Sequence, residues 1–322
     1  MPELPEVTVI VNSLNKVIRG LTLKSVEYDW PKKFYWGEFS AKNLEGAKVL
    51  GLRRIGKVIV VDLTKDKGLK TKAKSLSVSR SSLDVSQLSV VIHLKLTGQL
   101  IYEQDKQSLR SSTSSAGLKK TRVSGGHPIP PLNLPVPNKS TRVTFEFTNG
   151  GHLYFNDIRK FGWVKVVTSD TENVKAAIGQ ELGPDPMTMT LDQFRARLKV
   201  KGQRRIKQLL MDQAVISGVG NIYSDEALWR AKIHPKRAVV SLSDKEIKAI
   251  FDGILASFSL AIKKGGSSAN SFVDGRGEKG LYLTYAKAYH KTGEPCERCG
   301  TKIVREKMDG RSAHFCPKCQ KL

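Results

Sequence analysis

The chain opens Met1-Pro2-Glu3-Leu4-Pro5-Glu6. A small residue after Met1 invites removal of the methionine, which leaves proline with a free secondary α-amine. An α-amine titrates near ~8, well below lysine, so a useful fraction is neutral around neutral pH. Such an amine can attack a carbon with carbonyl character, for example C1′ of a deoxyribose that is losing its base. A secondary amine cannot give a neutral imine, so the opened adduct is an iminium whose fixed charge acidifies the neighbouring C2′ proton. Glu3 and Glu6 put two carboxylates within reach for proton transfer. Met-Pro alone is also a common protein start, and the other end of the chain carries the weight.

All four cysteines lie in the last 27 residues, as Cys296-x2-Cys299, sixteen residues, then Cys316-x2-Cys319. Paired thiols at this spacing suit one tetrahedral structural zinc held by four thiolates. Between the pairs, Lys302–Glu306 and Ser312–Phe315 read as two short strands, with Asp309-Gly310 as the turn signal. Arg311 then projects from the tip of a metal-stapled hairpin, either as a solvated turn residue or as a phosphate contact; the basic chain favours the contact.

Three further constellations can meet nucleic acid. Met211 to Tyr223 reads as helix, glycine turn (Gly218, Gly220), helix, with Asn221 opening the second helix. Outward N–H groups at such a turn suit a phosphate, although packed helix pairs are common. Lys207 upstream is either a surface charge or another phosphate contact. In Asn156-Asp157-Ile158-Arg159-Lys160-Phe161-Gly162, the Phe can wedge between base pairs while the Arg fills the place of an extruded base. Equally, the segment can be a turn with a buried Phe. Lys57, after Arg53-Arg54-Ile55-Gly56, is either an exposed strand-start lysine or a phosphate ligand beside a scissile sugar. Arg142 joins the DNA-binding candidates.

The elements that must position these residues divide the chain. It has 322 residues and 39% hydrophobic content, enough for more than one core. Lys+Arg 54 against Asp+Glu 30 gives a net charge of +24, which points to a polyanion partner. No apolar run approaches the ~20 residues a spanning helix needs, and no secretory signal opens the chain, so no membrane role is expected. The absence of cysteine before residue 296 suits a reducing compartment and a cytoplasmic, DNA-associated protein.

Residues 7–19 read as an amphipathic helix ended by Gly20. Strand-like runs follow at Leu21–Tyr28, Lys48–Ile55, Lys57–Leu63, Ser89–Leu96, Thr141–Phe147, His152–Phe155 and Gly162–Val167. They suit an antiparallel sandwich. Lys/Ser-rich residues 64–88 and Ser/Gly/Pro-rich residues 103–140 read as long inserted loops. Helices are expected at Glu172–Gln180, Leu191–Lys199, Arg205–Gln213, Asn221–Arg230 and Asp244–Lys264, with a mobile glycine-rich loop at 265–280. The fold class is α+β and multidomain: residues 1–168 a catalytic sandwich with an N-terminal helix, 172–282 a helical DNA-binding domain, 288–322 a zinc finger.

Taken together, the opening Pro-Glu-Leu-Pro-Glu-Val, the Gly-Val-Gly-Asn-Ile-Tyr turn and the four-cysteine finger, in this order, resemble the formamidopyrimidine-DNA glycosylase (Fpg/Nei) family. The resemblance implies a β-sandwich, a helix–two-turn–helix domain and a zinc finger, with damaged double-stranded DNA in the cleft of a monomer. It implies base excision repair by a bifunctional glycosylase and lyase nicking by β,δ-elimination. Pro2 is then the nucleophile and Glu3 the acid/base. Glu6 supports the site, and Lys57, Asn221 and Arg311 bind the flanking phosphates. Arg159 and Phe161 match two void-filling residues of the branch that excises oxidised purines. Leu96 stands where methionine is usual, an apolar replacement of similar volume. Residues 265–282 align with the lesion-capping segment. A sister branch acting on oxidised pyrimidines, and a non-catalytic DNA-binding protein on the same scaffold, are the alternatives.

Overall fold

The structure, a computed structural model, describes residues 1–65, 87–104, 121–128, 134–179, 182–200, 202–269 and 271–322. Helix α1 (Leu4–Ile18) begins three residues before the apolar stripe predicted, because Pro5 lies in the first turn, where its fixed φ and missing N–H cost nothing. Val7, Ile10, Val11, Leu14 and Ile18 are buried along one face. Gly20, at φ 84, turns the chain out of the helix.

Among the described residues, ten strands build two packed sheets: β1 (Leu23–Tyr28), β2 (Phe34–Tyr35), β3 (Lys48–Ile55), β4 (Val58–Thr64), β5 (Gln87–His93), β6 (Gly98–Gln104), β7 (Thr121–Gly126), β8 (Thr141–Phe147), β9 (His152–Asp157) and β10 (Trp163–Thr168). A short helix α2 (Ala41–Leu44) precedes β3. The sheets run β2-β10-β5-β4-β3 and β1-β8-β9-β6-β7. Leu63, Val90 and Ile92 of one sheet meet Phe145, Leu153 and Phe155 of the other in the core that also takes the α1 stripe. Outward-facing Val58, Val60 and Val91 are covered by α3 (Thr171–Ile178).

Three strands escaped the sequence pattern: β2, only two residues long, and β6 and β7. β6 is buried on both faces and shows no alternation to read. β7 lies inside the expected 103–140 loop, and its Gly125-Gly126 reads as a turn rather than as strand. Thr64, Gln87 and Leu88 belong to β4 and β5; most of the expected 64–88 loop, residues 66–86, lies outside the described residues.

The helical half comprises α4 (Leu191–Lys199), α5 (Ile206–Leu210), α6 (Asn221–Ala231), α7 (Asp244–Lys263) and α8 (Tyr282–Tyr285). Capping boxes at Thr190/Gln193 and Ser243/Glu246 start α4 and α7. The second core joins Phe194, Leu209, Tyr223, Ile254 and Phe258. Leu4, from the first turn of α1, belongs to this core, while Phe272, from the glycine-rich segment, belongs to the sandwich core. The two halves are thus stitched by reciprocal insertions. β11 (Val304–Met308) and β12 (Arg311–Phe315) form the terminal hairpin. Its turn residues Asp309 and Gly310 sit at φ 49 and 79, the primed-turn geometry that Asp-Gly permits. Among the described residues, no helix is long and apolar enough to cross a membrane.

Candidate active site

A cleft of about 280 Å³ opens where the halves meet, and it gathers Pro2, Glu3, Glu6, Lys57, Asn221 and Arg311. Residues more than three hundred positions apart converge because α1 crosses the junction and the terminal hairpin reaches back to its start.

Glu3 caps α1. Its Oε1 accepts the Ile222 N–H of α6 at 3.0 Å, and Oε2 has no partner among the described residues. Burial pushes the Glu3 carboxyl up, opposed by the nearby Lys57 ammonium and by the Ile222 N–H. Burial also holds the Met1 α-amine, one residue before Pro2, below its ordinary value; Glu3 and Glu6 oppose this, while Lys57 and Arg311 add to it. Lys57 Nζ donates to Val219 O at 3.0 Å, and burial lowers its pKa against the pull of Glu3.

Glu6 accepts three hydrogen bonds: from Glu3 N at 2.9 Å, Ser267 N at 2.8 Å and the Tyr223 hydroxyl at 2.5 Å. Burial first, and the charge of Glu3 second, push its carboxyl up to about 7 despite these donors. Tyr223 and Ser267 carry no role in the sequence reading; Ser267 acts through its backbone, which leaves no side-chain signature.

The glycine turn also has a packing role within the chain. A Cβ on Gly220 would lie 2.3 Å from the Glu3 carboxyl carbon, and one on Gly218 2.6 Å from Leu4 Cβ. The glycines make room for the first turn of α1. The α6 N-terminus accordingly faces the Glu3 carboxylate, an anion from within the chain.

On the rim, Leu96 is 44% and Phe161 53% exposed, and Arg159 is also exposed. One buried carboxylate ties their two loops together. Asp157 accepts from the Thr97 hydroxyl, from Arg159 N at 3.3 Å and from Gly162 N at 2.7 Å. Lys160, at φ 57, lays its Nζ 4.1 Å over the Trp30 ring. Phe161 is not the buried turn residue that the motif also allowed.

Two expected DNA-binding cations face inward. Arg142 is only 8% exposed, and its guanidinium donates to Asp157 O, Lys139 O and the Asp29 carboxylate. Lys207 is 2% exposed and donates to Asp225 Oδ1 and to Ser312 O, both at 2.6 Å. Asp225 Oδ2 in turn takes His314 N at 3.0 Å and its Nδ1 at 2.9 Å. Lys207 therefore fastens the hairpin to the helical core rather than meeting solvent. A charge this well paired and desolvated is poorly placed to reach a phosphate.

The Cys296, Cys299, Cys316 and Cys319 sulfurs all lie within 4.8 Å of one another. Zn–S bonds of about 2.3 Å place tetrahedral sulfurs about 3.8 Å apart, so the four thiolates fit one zinc. Arg298, whose guanidinium lies 3.9 Å over the Trp229 ring, donates to Trp229 O at 2.6 Å and holds the finger against α6.

Models of the formamidopyrimidine-DNA glycosylase N-terminal domain, of its H2TH domain and of the zinc finger found in FPG and IleRS match residues 1–164, 182–273 and 293–322. The chain belongs to the formamidopyrimidine-DNA glycosylase family. It is 34% identical over 325 residues to the formamidopyrimidine-DNA glycosylase of Heliobacterium modesticaldum, covering 100% of both chains. Against that of Ligilactobacillus salivarius it is 37% identical over 258 residues, 78% of this chain and 92% of the relative. Among solved structures it resembles the Lactococcus lactis Fpg complexed with abasic-site DNA, with a TM-score of 0.75 and 30% identity over 99% of this chain and 100% of that one. A complex of MutM with DNA containing carbocyclic 8-oxo-G gives a TM-score of 0.75 at 30% identity, covering 100% of each chain. As a formamidopyrimidine-DNA glycosylase family member with the family's four-cysteine finger, the protein carries one structural zinc.

Proposed function

We propose that this protein is a bifunctional DNA glycosylase and lyase of base excision repair acting on oxidised purines, with Pro2 as nucleophile once Met1 is removed. One observation carries the reading: the chain start, Glu3, Glu6, Lys57, Asn221 and Arg311 share a single cleft. The Pro2 nitrogen lone pair forms the bond to C1′ as the glycosidic bond breaks; the base leaves with that bond's electron pair and gains a proton, while the Pro2 nitrogen sheds its own. Glu3, buried and raised in pKa, passes a proton to the sugar ring oxygen, and the ring opens to the iminium. The Glu3 carboxylate, having given up its proton, takes the C2′ proton, the C2′–H electrons form the C2′–C3′ double bond and the 3′ phosphate leaves; a second elimination expels the 5′ phosphate. Lys57, Asn221 and Arg311 hold the phosphates around the sugar. Arg159, Phe161 and Leu96 fill the gap left by the flipped nucleotide and offset the few kcal/mol of unstacking. Zinc stabilises the hairpin that carries Arg311; no bond is made or broken at the metal. Residues 1–168, 172–282 and 288–322 act as catalytic, DNA-binding and zinc-finger units of a monomer.

Purine specificity rests on the Arg159/Phe161 pair and on relatives named for formamidopyrimidine and solved with 8-oxo-G DNA. The test uses chain whose Met1 is shown by mass spectrometry to be absent. Borohydride should trap it on duplex containing 8-oxoguanine opposite cytosine, and Pro2→Gly or Glu3→Gln should abolish excision. Active protein that never forms the covalent complex defeats the mechanism. Faster nicking of thymine glycol opposite adenine would move the protein to the pyrimidine branch.

A further inference from the structure

β7 is an edge strand, and its free edge is paired with the glycine-rich segment from the other half of the molecule. Ser124 N donates to Gly275 O at 3.0 Å, Gly126 N to Val273 O at 3.1 Å, and Val273 N back to Gly126 O at 2.8 Å. The fit is close on both sides. A Cβ on Gly125 would lie 2.6 Å from Ile10 Cγ1, and one on Gly275 2.1 Å from Ser13 Cβ, both on α1. The segment read from sequence as mobile is therefore pressed between β7 and α1 by backbone pairing.

His127 follows directly on β7. Its N–H donates to Gly98 O at 3.1 Å, its Nδ1 lies 3.2 Å from Ser271 Oγ, and its ring meets Phe272 edge-on with centroids 5.9 Å apart. It lines the cleft beside Pro2, Glu3 and Glu6, as do Ser267, Ala269 and Phe272. Burial, with the nearby chain-start amine as a lesser cause, pushes its pKa down to about 4, so the ring is neutral at neutral pH. A neutral imidazole has one N–H, and placing it on Nδ1 lets it donate to Ser271. Nε2 has no partner among the described residues.

We propose that His127, fixed by β7, is a positioning residue that, through Ser271, holds the neighbouring Phe272 as the wall of the cleft against which an everted damaged base is seated. This rests on the glycosylase reading. A nucleotide that has already lost its base has nothing to seat, so His127 matters for base excision and not for strand nicking at a preformed abasic site.

The experiment compares single-turnover rates of the full, zinc-loaded chain on two duplexes of one sequence, carrying 8-oxoguanine or an abasic site. His127→Ala should slow action on the base-bearing duplex by about tenfold or more and leave abasic nicking within about twofold. His127→Asn, whose amide can donate from the position of Nδ1, should restore most of the rate. Ser271→Ala should reproduce the loss, and the double variant should be no slower than either single one. Equal losses on both duplexes, no loss, or an Asn variant as slow as Ala would overturn the assignment. A wild-type chain inactive on both duplexes removes the glycosylase reading and this proposal together, whereas an active wild type with indifferent variants removes the His127 role alone.

Discussion

Glu6 joins α1, α6 and the glycine-rich segment through a single carboxyl group, and its proton has a measurable consequence. Its pKa rises from an ordinary 4.5 to about 7 in the folded chain, so between those values the folded state holds a proton that the unfolded chain has released. That contribution to stability is complete below about 4.5 and is lost as pH rises through about 7. At about 1.4 kcal/mol for each pH unit crossed, the change over this window is at most about 3 kcal/mol. Glu6→Gln should therefore flatten the pH dependence of unfolding free energy, measured by urea titration at several pH values. An unchanged slope would show that Glu6 is ionised throughout. Glu3 differs because Lys57 lies close by and the α6 N–H groups face it. The same element that stabilises its charge also holds it in the cleft beside Pro2.

At the scale of elements, the two rim loops behave as one unit because Asp157 collects donors from both. Leu96 sits in the β5–β6 turn and Phe161 follows β9, yet Thr97, Arg159 and Gly162 all converge on that carboxylate. A Cβ on Gly162 would lie 2.6 Å from Phe155 Cζ, so the loop has no slack to rearrange. Asp157→Ala should leave these donors unpaired at a cost of about 2 kcal/mol in thermal stability. It should also slow base flipping by about tenfold, as read from 2-aminopurine fluorescence placed opposite the lesion. Normal flipping with lowered stability would confine Asp157 to a structural role.

At the scale of the whole molecule, the four-cysteine finger packs against α6 of the helical half. The finger has its own small core of Trp229, Ala288, Ile303 and the cysteines, separate from the sandwich. Its hairpin is fastened by the buried Lys207–Asp225–His314 network. Cys299→Ser should release zinc and free the hairpin, weakening duplex binding by about tenfold in anisotropy titrations, the equivalent of about 1.4 kcal/mol. The sandwich should stay folded by circular dichroism. Unfolding of the sandwich along with the finger would contradict this separation.

Local chemistry was legible from the chain alone: an amine-bearing start with two carboxylates, a thiolate quartet at metal spacing, an Asp-Gly turn beneath Arg311, and strands and helices with regular apolar periods. Each signal is contained within a few neighbouring residues. What the sequence left open depends on partners distant along the chain. Lys207 and Arg142 carry the same charge as any exposed cation, and only packing decided that Asp225 and Asp157 O would take them inward. Gly218 and Gly220 read as a phosphate turn, and only the fold shows that α1 also lies against them. β6 and β7 lack the alternation that marks a half-buried strand, because β6 is buried on both faces and β7 ends in glycines that must pass close to α1 and β6. Sequence specifies the reactive groups and local periodicity; the fold sets which buried charges meet, and so which groups are free to act.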